Sequence, residues 1–177
     1  MSEEKTMHIN MLFPATAEET FLLVTDESVL VPKTIVVFNA WKGKPLANTY
    51  GGKAVLDCEG EPLFAELVIL RTLCRDGWSG VWVDNYRKKF RVGMPDVEPP
   101  ITLPADQRVI LDKIIDKNGS MSGCWDVYAW KENKILFAES KRSGRDSIRP
   151  SQVKWLGSAL AVGMSAADFL MVEWSLK

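Results

Sequence analysis

Asp126, Glu139 and Lys141 have the types and the spacing to hold a divalent cation and hydrolyse a phosphate ester. The stretch "GCWDVYAWKENKILFAESKR" places an Asp on one apolar run and a Glu-Ser-Lys on the next. Both runs read as strands, 125–130 and 134–141, forming a hairpin. Side chains alternate faces along a strand, so Glu139 and Lys141 share a face and Ser140 points away. If Glu132-Asn133 is a two-residue turn, Lys131 pairs with Lys134, Trp130 with Ile135 and Tyr128 with Phe137. Asp126 then falls opposite Glu139. Asn133 tolerates the positive φ that such a turn wants, and a slip of one residue would send Glu139 to the other face. Two facing carboxylates repel at cross-strand distance. Mg²⁺ or Mn²⁺ removes that repulsion, because hard cations take carboxylates, waters and phosphate oxygens as ligands. Lys141 would sit beside the same cluster and steady the charge that develops on phosphate.

The bare pattern also occurs in surface hairpins whose charged ends are simply solvated. Three features favour a site. Asp126 and Glu139 interrupt apolar surroundings, "CWDVYAW" and "ILFAESK". Glu66 lies inside the apolar stripe of an earlier helix, either as a carboxylate reaching water from the stripe edge or as an outer or extra ligand. After Lys141, the chain carries Arg142, Arg145, Arg149 and Lys154 against only Asp146, which suits phosphodiester contacts as well as an unliganded charged loop.

These residues need elements to position them. "FLLVT" from Phe21 and "TIVVFNAW" from Thr34 read as strands, and "GKPLANTYGG" as a loop. A helix is expected to start near Pro62, with Leu63, Glu66, Leu67, Leu70, Leu73 and Cys74 on one stripe and a stop at Asp76-Gly77. "GVWVD" is a short strand followed by the basic run "YRKKFR". A short helix over 105–115 precedes the hairpin, a helix over 150–162 ending at Gly163 follows it, and "DFLMVEW" is a final strand parallel to one already in the sheet. Trp125, Trp130 and Trp155 read as core, and Asp84 as a strand-end residue. Gln152 is either an ordinary first-turn residue or a group orienting water or phosphate.

A chain of 177 residues with 46% apolar and 25% charged residues suits one domain with a real core. Its formal net charge of -1 confines any nucleic-acid surface to a local patch. No apolar run approaches a membrane span and no signal peptide is visible, so a cytoplasmic chain without membrane partners is expected. Cys58, Cys74 and Cys124 are odd in number and widely spaced, and read as small buried residues in a reducing compartment. The single His8 excludes a His-rich zinc site, and leaves catalysis to carboxylates or lysine.

The run 123–156 resembles the PD-(D/E)xK nuclease superfamily, and within it the VRR-NUC branch, some of whose relatives resolve Holliday junctions. The likeness covers an Asp strand, a Glu-x-Lys strand, a polar loop, a Gln opening a helix and an aromatic after it: Asp126, Glu139, Lys141, Gln152 and Trp155. Trp125 stands where the family has proline. The resemblance implies an α/β restriction-endonuclease-like core over 59–177 (helix, three-stranded meander, helix, strand, in a mixed sheet flanked by helices) with a β-rich extension over 1–58 packed on it. It implies a Mg²⁺- or Mn²⁺-dependent nuclease. The cation would be held by Asp126, Glu139 and the Ser140 carbonyl, with Glu66 as a further candidate. Lys141 and Gln152 would be catalytic, and Arg142, Arg145, Arg149 and Lys154 would bind nucleic acid, DNA first. The alternative is a catalytically silent nucleic-acid-binding module or a protein-interaction domain. A homodimer is left open.

Overall fold

Alternating apolar residues on the strands give one sheet two buried faces, and the helices divide between them. The computed structural model describes residues 13–177; residues 1–12, His8 among them, lie outside the described residues. In chain order the strands are β1 (Ala17–Leu22), β2 (Ser28–Phe38), β3 (Leu56–Cys58), β4 (Glu61–Leu63), β5 (Ser79–Asp84), β6 (Lys89–Arg91), β7 (Val127–Lys131), β8 (Lys134–Arg142) and β9 (Phe169–Leu176). The helices are α1 (Ala65–Arg75), α2 (Ala105–Asn118) and α3 (Pro150–Ala161).

Seven strands form a mixed sheet in the order β1-β2-β9-β8-β7-β5-β6, and β3 and β4 form a separate hairpin. β9 runs parallel to both β8 and β2, and the other pairs are antiparallel. Val127, Ala129, Leu136, Ala138, Leu170 and Val172 pack with Leu67 and Leu70 of α1 on one face. Tyr128, Phe137, Phe169 and Met171 pack with Leu111 of α2 and Trp155 of α3 on the other. There the rings of Tyr128, Phe137 and Phe169 stack across three strands, with centroids 4.8 Å and 5.5 Å apart. Each ring so buried contributes roughly 1.5–3 kcal/mol relative to exposure. Among the described residues no helix is long and apolar enough to cross a membrane.

The expected hairpin register is present: Lys131 faces Lys134, Trp130 faces Ile135 and Tyr128 faces Phe137. The positive φ of its turn falls on Glu132, at 54°, rather than on Asn133. β5, β7 and β8 form the expected meander, and α3 returns the chain to a strand parallel to β8.

Several expectations are corrected. Pro62 does not start a helix. It lies in β4, opposite Asp57, and α1 starts at Ala65. The reason is a tight turn at Glu59-Gly60, both with positive φ (52° and 88°), which folds the preceding strand back before the helix can begin. Leu63 therefore belongs to β4, and Cys74 is exposed, as the stripe rotates away from the sheet at the helix end. Cys58 is half-buried, and of the three thiols only Cys124 is buried. α2 runs three residues past the expected 115, to Asn118. The basic run, for which no element of its own is expected, ends in a strand, since Lys89–Arg91 pairs with β5 at the sheet edge. β1 begins at Ala17 and β2 at Ser28, earlier than their apolar cores suggest. These two strands continue the main sheet through the β2–β9 pair rather than packing on it as a separate layer. The expected boundary at 58/59 falls at the start of the β3–β4 turn.

Candidate metal and phosphate site

The β7–β8 register carries Asp126 opposite Glu139, one step beyond the Val127–Ala138 pair. The Asp126 N–H donates to Glu139 Oε2 (3.1 Å), and the Ser140 N–H donates to Asp126 Oδ2 (3.0 Å). The carboxyls also meet directly, within hydrogen-bonding reach when one carries a proton. Glu139 is 5% exposed. Burial, then the charge of Glu66, pushes the Asp126 carboxyl up to about 7, against the opposing pull of Lys53 and the Ser140 N–H. Burial and the adjoining Asp126 hold the Glu139 carboxyl well above the usual carboxylate range. A buried and a half-buried acid that resist losing a second proton form a place where a cation can substitute for that proton.

Gln152 locks the pair from α3. Its Nε2 donates to Glu139 Oε1, while its Oε1 accepts from the Arg149 N–H (2.9 Å) at the start of the helix. The indole of Trp125 donates to the Gln152 carbonyl (3.2 Å) and is fully buried, so Trp125 acts as a strut under α3. The chain must pass very close to that helix. Gly123 has φ 82°, and a Cβ there would lie 2.0 Å from the Ser151 carbonyl oxygen. Only glycine fits.

Ser140 turns its hydroxyl to the Trp174 indole N–H, which donates to it at 2.9 Å. The N–H and C=O of a residue in an extended strand point to the same flank, so the Ser140 carbonyl is on the Asp126 side. Glu66 is 6% exposed and is paired with Lys53. Burial works to lower the Lys53 ammonium, but Glu66 outweighs it and holds it above the ordinary lysine value. Lys53 was not legible as a site residue, because it follows Gly51-Gly52 in a loop with no periodicity. Lys141 shares the face of Glu139 but bonds Glu19 of β1 (3.1 Å), which in turn lies 3.8 Å from Lys33. Lys33 also bonds Glu173 (2.6 Å), and through that bond its own ammonium is held up and the Glu173 carboxyl down. No sequence signal marks Glu19, which is 122 positions from its partner.

Two clefts flank the pair. One of about 360 Å³ is lined by Tyr50, Lys53, Glu66, Ser140, Arg142 and Arg145 among others. The other, of about 610 Å³, includes Asn85, Tyr86, Lys88, Asp126, Arg149 and Gln152 in its wall. Arg142 also lies over the Trp174 ring, 5.4 Å from its centroid. Lys154 is separate, lining an apolar cleft with Leu23, Lys117 and Val153. Asp84 is buried in an ion pair with Arg91 (2.9 Å), which matches a structural role at a strand end. Among the described residues no three His, Cys, Asp or Glu side chains gather as a metal-ligating set. The oxygen donors at hand are two carboxylates and a carbonyl, with Glu66 as a neighbour, a set that suits a hard cation completed by water and phosphate. Compared with protein-family models, curated proteins and solved structures, the chain matches none of them.

Proposed function

We propose that the chain is a metal-dependent nuclease that hydrolyses phosphodiester bonds, with DNA as the first substrate to test. One observation carries the reading. Asp126 and Glu139 are packed against one another and hydrogen-bonded by the Asp126 and Ser140 N–H groups and by Gln152, while Lys53 and Lys141 are engaged by Glu66 and Glu19. Keeping two acids together in this way is costly unless the site binds something positive. Asp126, Glu139 and the Ser140 carbonyl would hold Mg²⁺ or Mn²⁺, with Glu66 close by. A cation held there supplies Lewis-acid polarisation of the phosphate and offsets the charge that builds on it.

The protein's own groups do the rest. Gln152 fixes the rotamer of Glu139. Lys141, held by Glu19, places positive charge two residues from Glu139 on the same face. Arg142, Arg145 and Arg149 rim the two clefts and suit backbone phosphates on either side of the scissile bond. The resemblance of 123–156 to the VRR-NUC branch supports the same reading, as does the order of α1, β5, β7, β8, α3 and β9, which a restriction-endonuclease-like core shares. The test is cleavage of duplex, single-stranded, flap and four-way-junction DNA with Mg²⁺ or Mn²⁺. Activity on at least one substrate, lost in Glu139→Gln, is expected; no cleavage of any of them overturns the reading. The Glu19–Lys141 pair favours a second reading, a silent binding module in which that lysine is structural. Binding to the same panel without metal dependence would select it.

A further inference from the structure

The basic run after β5 takes no part in the centre proposed above, yet it walls the larger cleft beside Asp126. Its backbone is fastened at several points. Asp84 is 2% exposed, pairs with Arg91 and accepts the Arg87 N–H at 3.2 Å. Asn85 Nδ2 donates to the Cys124 carbonyl (3.1 Å), tying the turn to the segment that enters β7. The Arg87 guanidinium lies 4.2 Å from the centre of the Tyr50 ring, a third tether.

From this anchored turn Tyr86 projects, 89% exposed, followed by the exposed Lys88 and Lys89. A large aromatic left in water by a turn this well held is available for stacking at little cost in conformational entropy. The cleft it borders is also lined by Lys88 and Arg149, two cations that share its wall with Asp126. An aromatic face beside a basic groove is the combination that captures unpaired nucleic acid: bases stack, and phosphates meet cations. A duplex keeps its base faces covered and offers Tyr86 nothing to stack on.

We propose that the β5–β6 turn is a single-strand binding site, where Tyr86 stacks on an unpaired base while Lys88 and Arg149 contact the flanking phosphates. It delivers a single-stranded segment to the Asp126–Glu139 centre; the delivery step rests on the nuclease reading, and the binding step does not.

The test is fluorescence anisotropy without divalent cations, using a labelled single strand of about twelve nucleotides, within the usual site size, and a blunt duplex of the same sequence. Tyr86→Ala should weaken single-strand binding by about five- to a hundredfold and leave duplex binding unchanged. Tyr86→Trp should restore the single-strand affinity. Lys88→Ala should reduce the salt slope for single strands by about 0.7. Equal loss for both nucleic acids, no loss with Tyr86→Ala, or no single-strand binding by the unaltered chain overturns the inference. If binding responds as expected while metal-dependent cleavage is absent, the nuclease reading fails and this site stands. If cleavage is present and Tyr86→Ala changes no single-strand binding, this site fails and the nuclease reading stands.

Discussion

Removing both charges of the facing carboxylate pair, Asp126→Asn with Glu139→Gln, should stabilise the protein at pH 8 and abolish its response to metal. Burial and Glu66 move the Asp126 carboxyl from 3.8 to about 7. A shift of roughly 3 units corresponds to about 4 kcal/mol against the ionised, folded form. Two effects reduce the gain from removing it. Asp126 is half-buried, so solvent screens part of the repulsion. Glu139 accepts from the Asp126 N–H and from Gln152, and a glutamine has one oxygen where the carboxylate has two, so about 1 kcal/mol of hydrogen bonding goes. The net expectation is about 1–3 kcal/mol, or roughly 3–10 °C in Tm for a chain of this length. The pH dependence follows from the sign of the shifts. Both folded-state values are raised, so the pair's favourable contribution is complete below about pH 4; that of Asp126 is lost as pH rises through about 7, and that of Glu139 as pH rises through its own raised value. The variant's advantage should therefore be largest at pH 8 and close to nothing at pH 4. Mn²⁺ at tenfold its Kd should raise the stability of the unaltered protein by about 1.4 kcal/mol at pH 8. Calorimetric melting of both proteins at the two pH values, with and without Mn²⁺ at fixed ionic strength, measures all of this. Equal Tm values at pH 8 without metal, or a Mn²⁺ shift that survives the double substitution, would refute the reasoning.

Lys141→Ala should leave Mn²⁺ affinity nearly unchanged in a titration, since Lys141 is no ligand, while turnover falls by roughly 10²–10⁴; unchanged turnover removes it from the mechanism. The same substitution leaves Glu19 with Lys33 as its remaining partner, so a stability loss of about 1 kcal/mol in urea unfolding should accompany it. Gly123→Ala should destabilise by at least about 2 kcal/mol, because its Cβ meets the Ser151 carbonyl at 2.0 Å in a backbone with φ 82°. A stability within experimental error of the original would show that the segment entering β7 can move away from α3.

The hairpin was legible because its information is local. Alternating apolar residues fix which face is buried, a two-residue turn fixes the register, and together they place Asp126 opposite Glu139. α3 was legible for a similar reason, with Pro150 at its start and Gly163 just beyond its end. The start of β1 was hidden because it is an edge strand whose first residues, "AEET", are polar or small and half in water. β6 was hidden because its lysine and arginine read as a charged run, although backbone pairing with β5 needs no apolar side chain. Pro62 misled because a good first-turn helix residue is equally at home in a short hairpin outside the main sheet, where its missing N–H costs little. The site residues divide along the same line. Asp126, Glu139, Lys141 and Gln152 lie within one stretch, and spacing gathers them. Glu19 and Lys53 reach the site through tertiary contacts that no spacing encodes.

The charges around Lys141 make the N-terminal strands part of the candidate site rather than an appendage to it. Glu173, Lys33, Glu19 and Lys141 form an alternating row across β9, β2, β1 and β8, linked at 2.6, 3.8 and 3.1 Å. Two positive and two negative groups sit in the row, so its net charge is zero. What it does add is direction. Lys141 stands near the end of β8, where a long side chain would otherwise sample many rotamers at a cost of up to about 2 kcal/mol to fix. Glu19 removes that freedom, and its own position depends on β1 pairing with β2 and on β2 pairing with β9 over six residue pairs from Lys33–Met171 to Phe38–Leu176. Residues 59–177 alone would lack this ladder, leaving one edge of β9 open, Lys141 without Glu19 and Glu173 without Lys33. Strands outside the conspicuous 123–156 run therefore fix the orientation of the lysine within it.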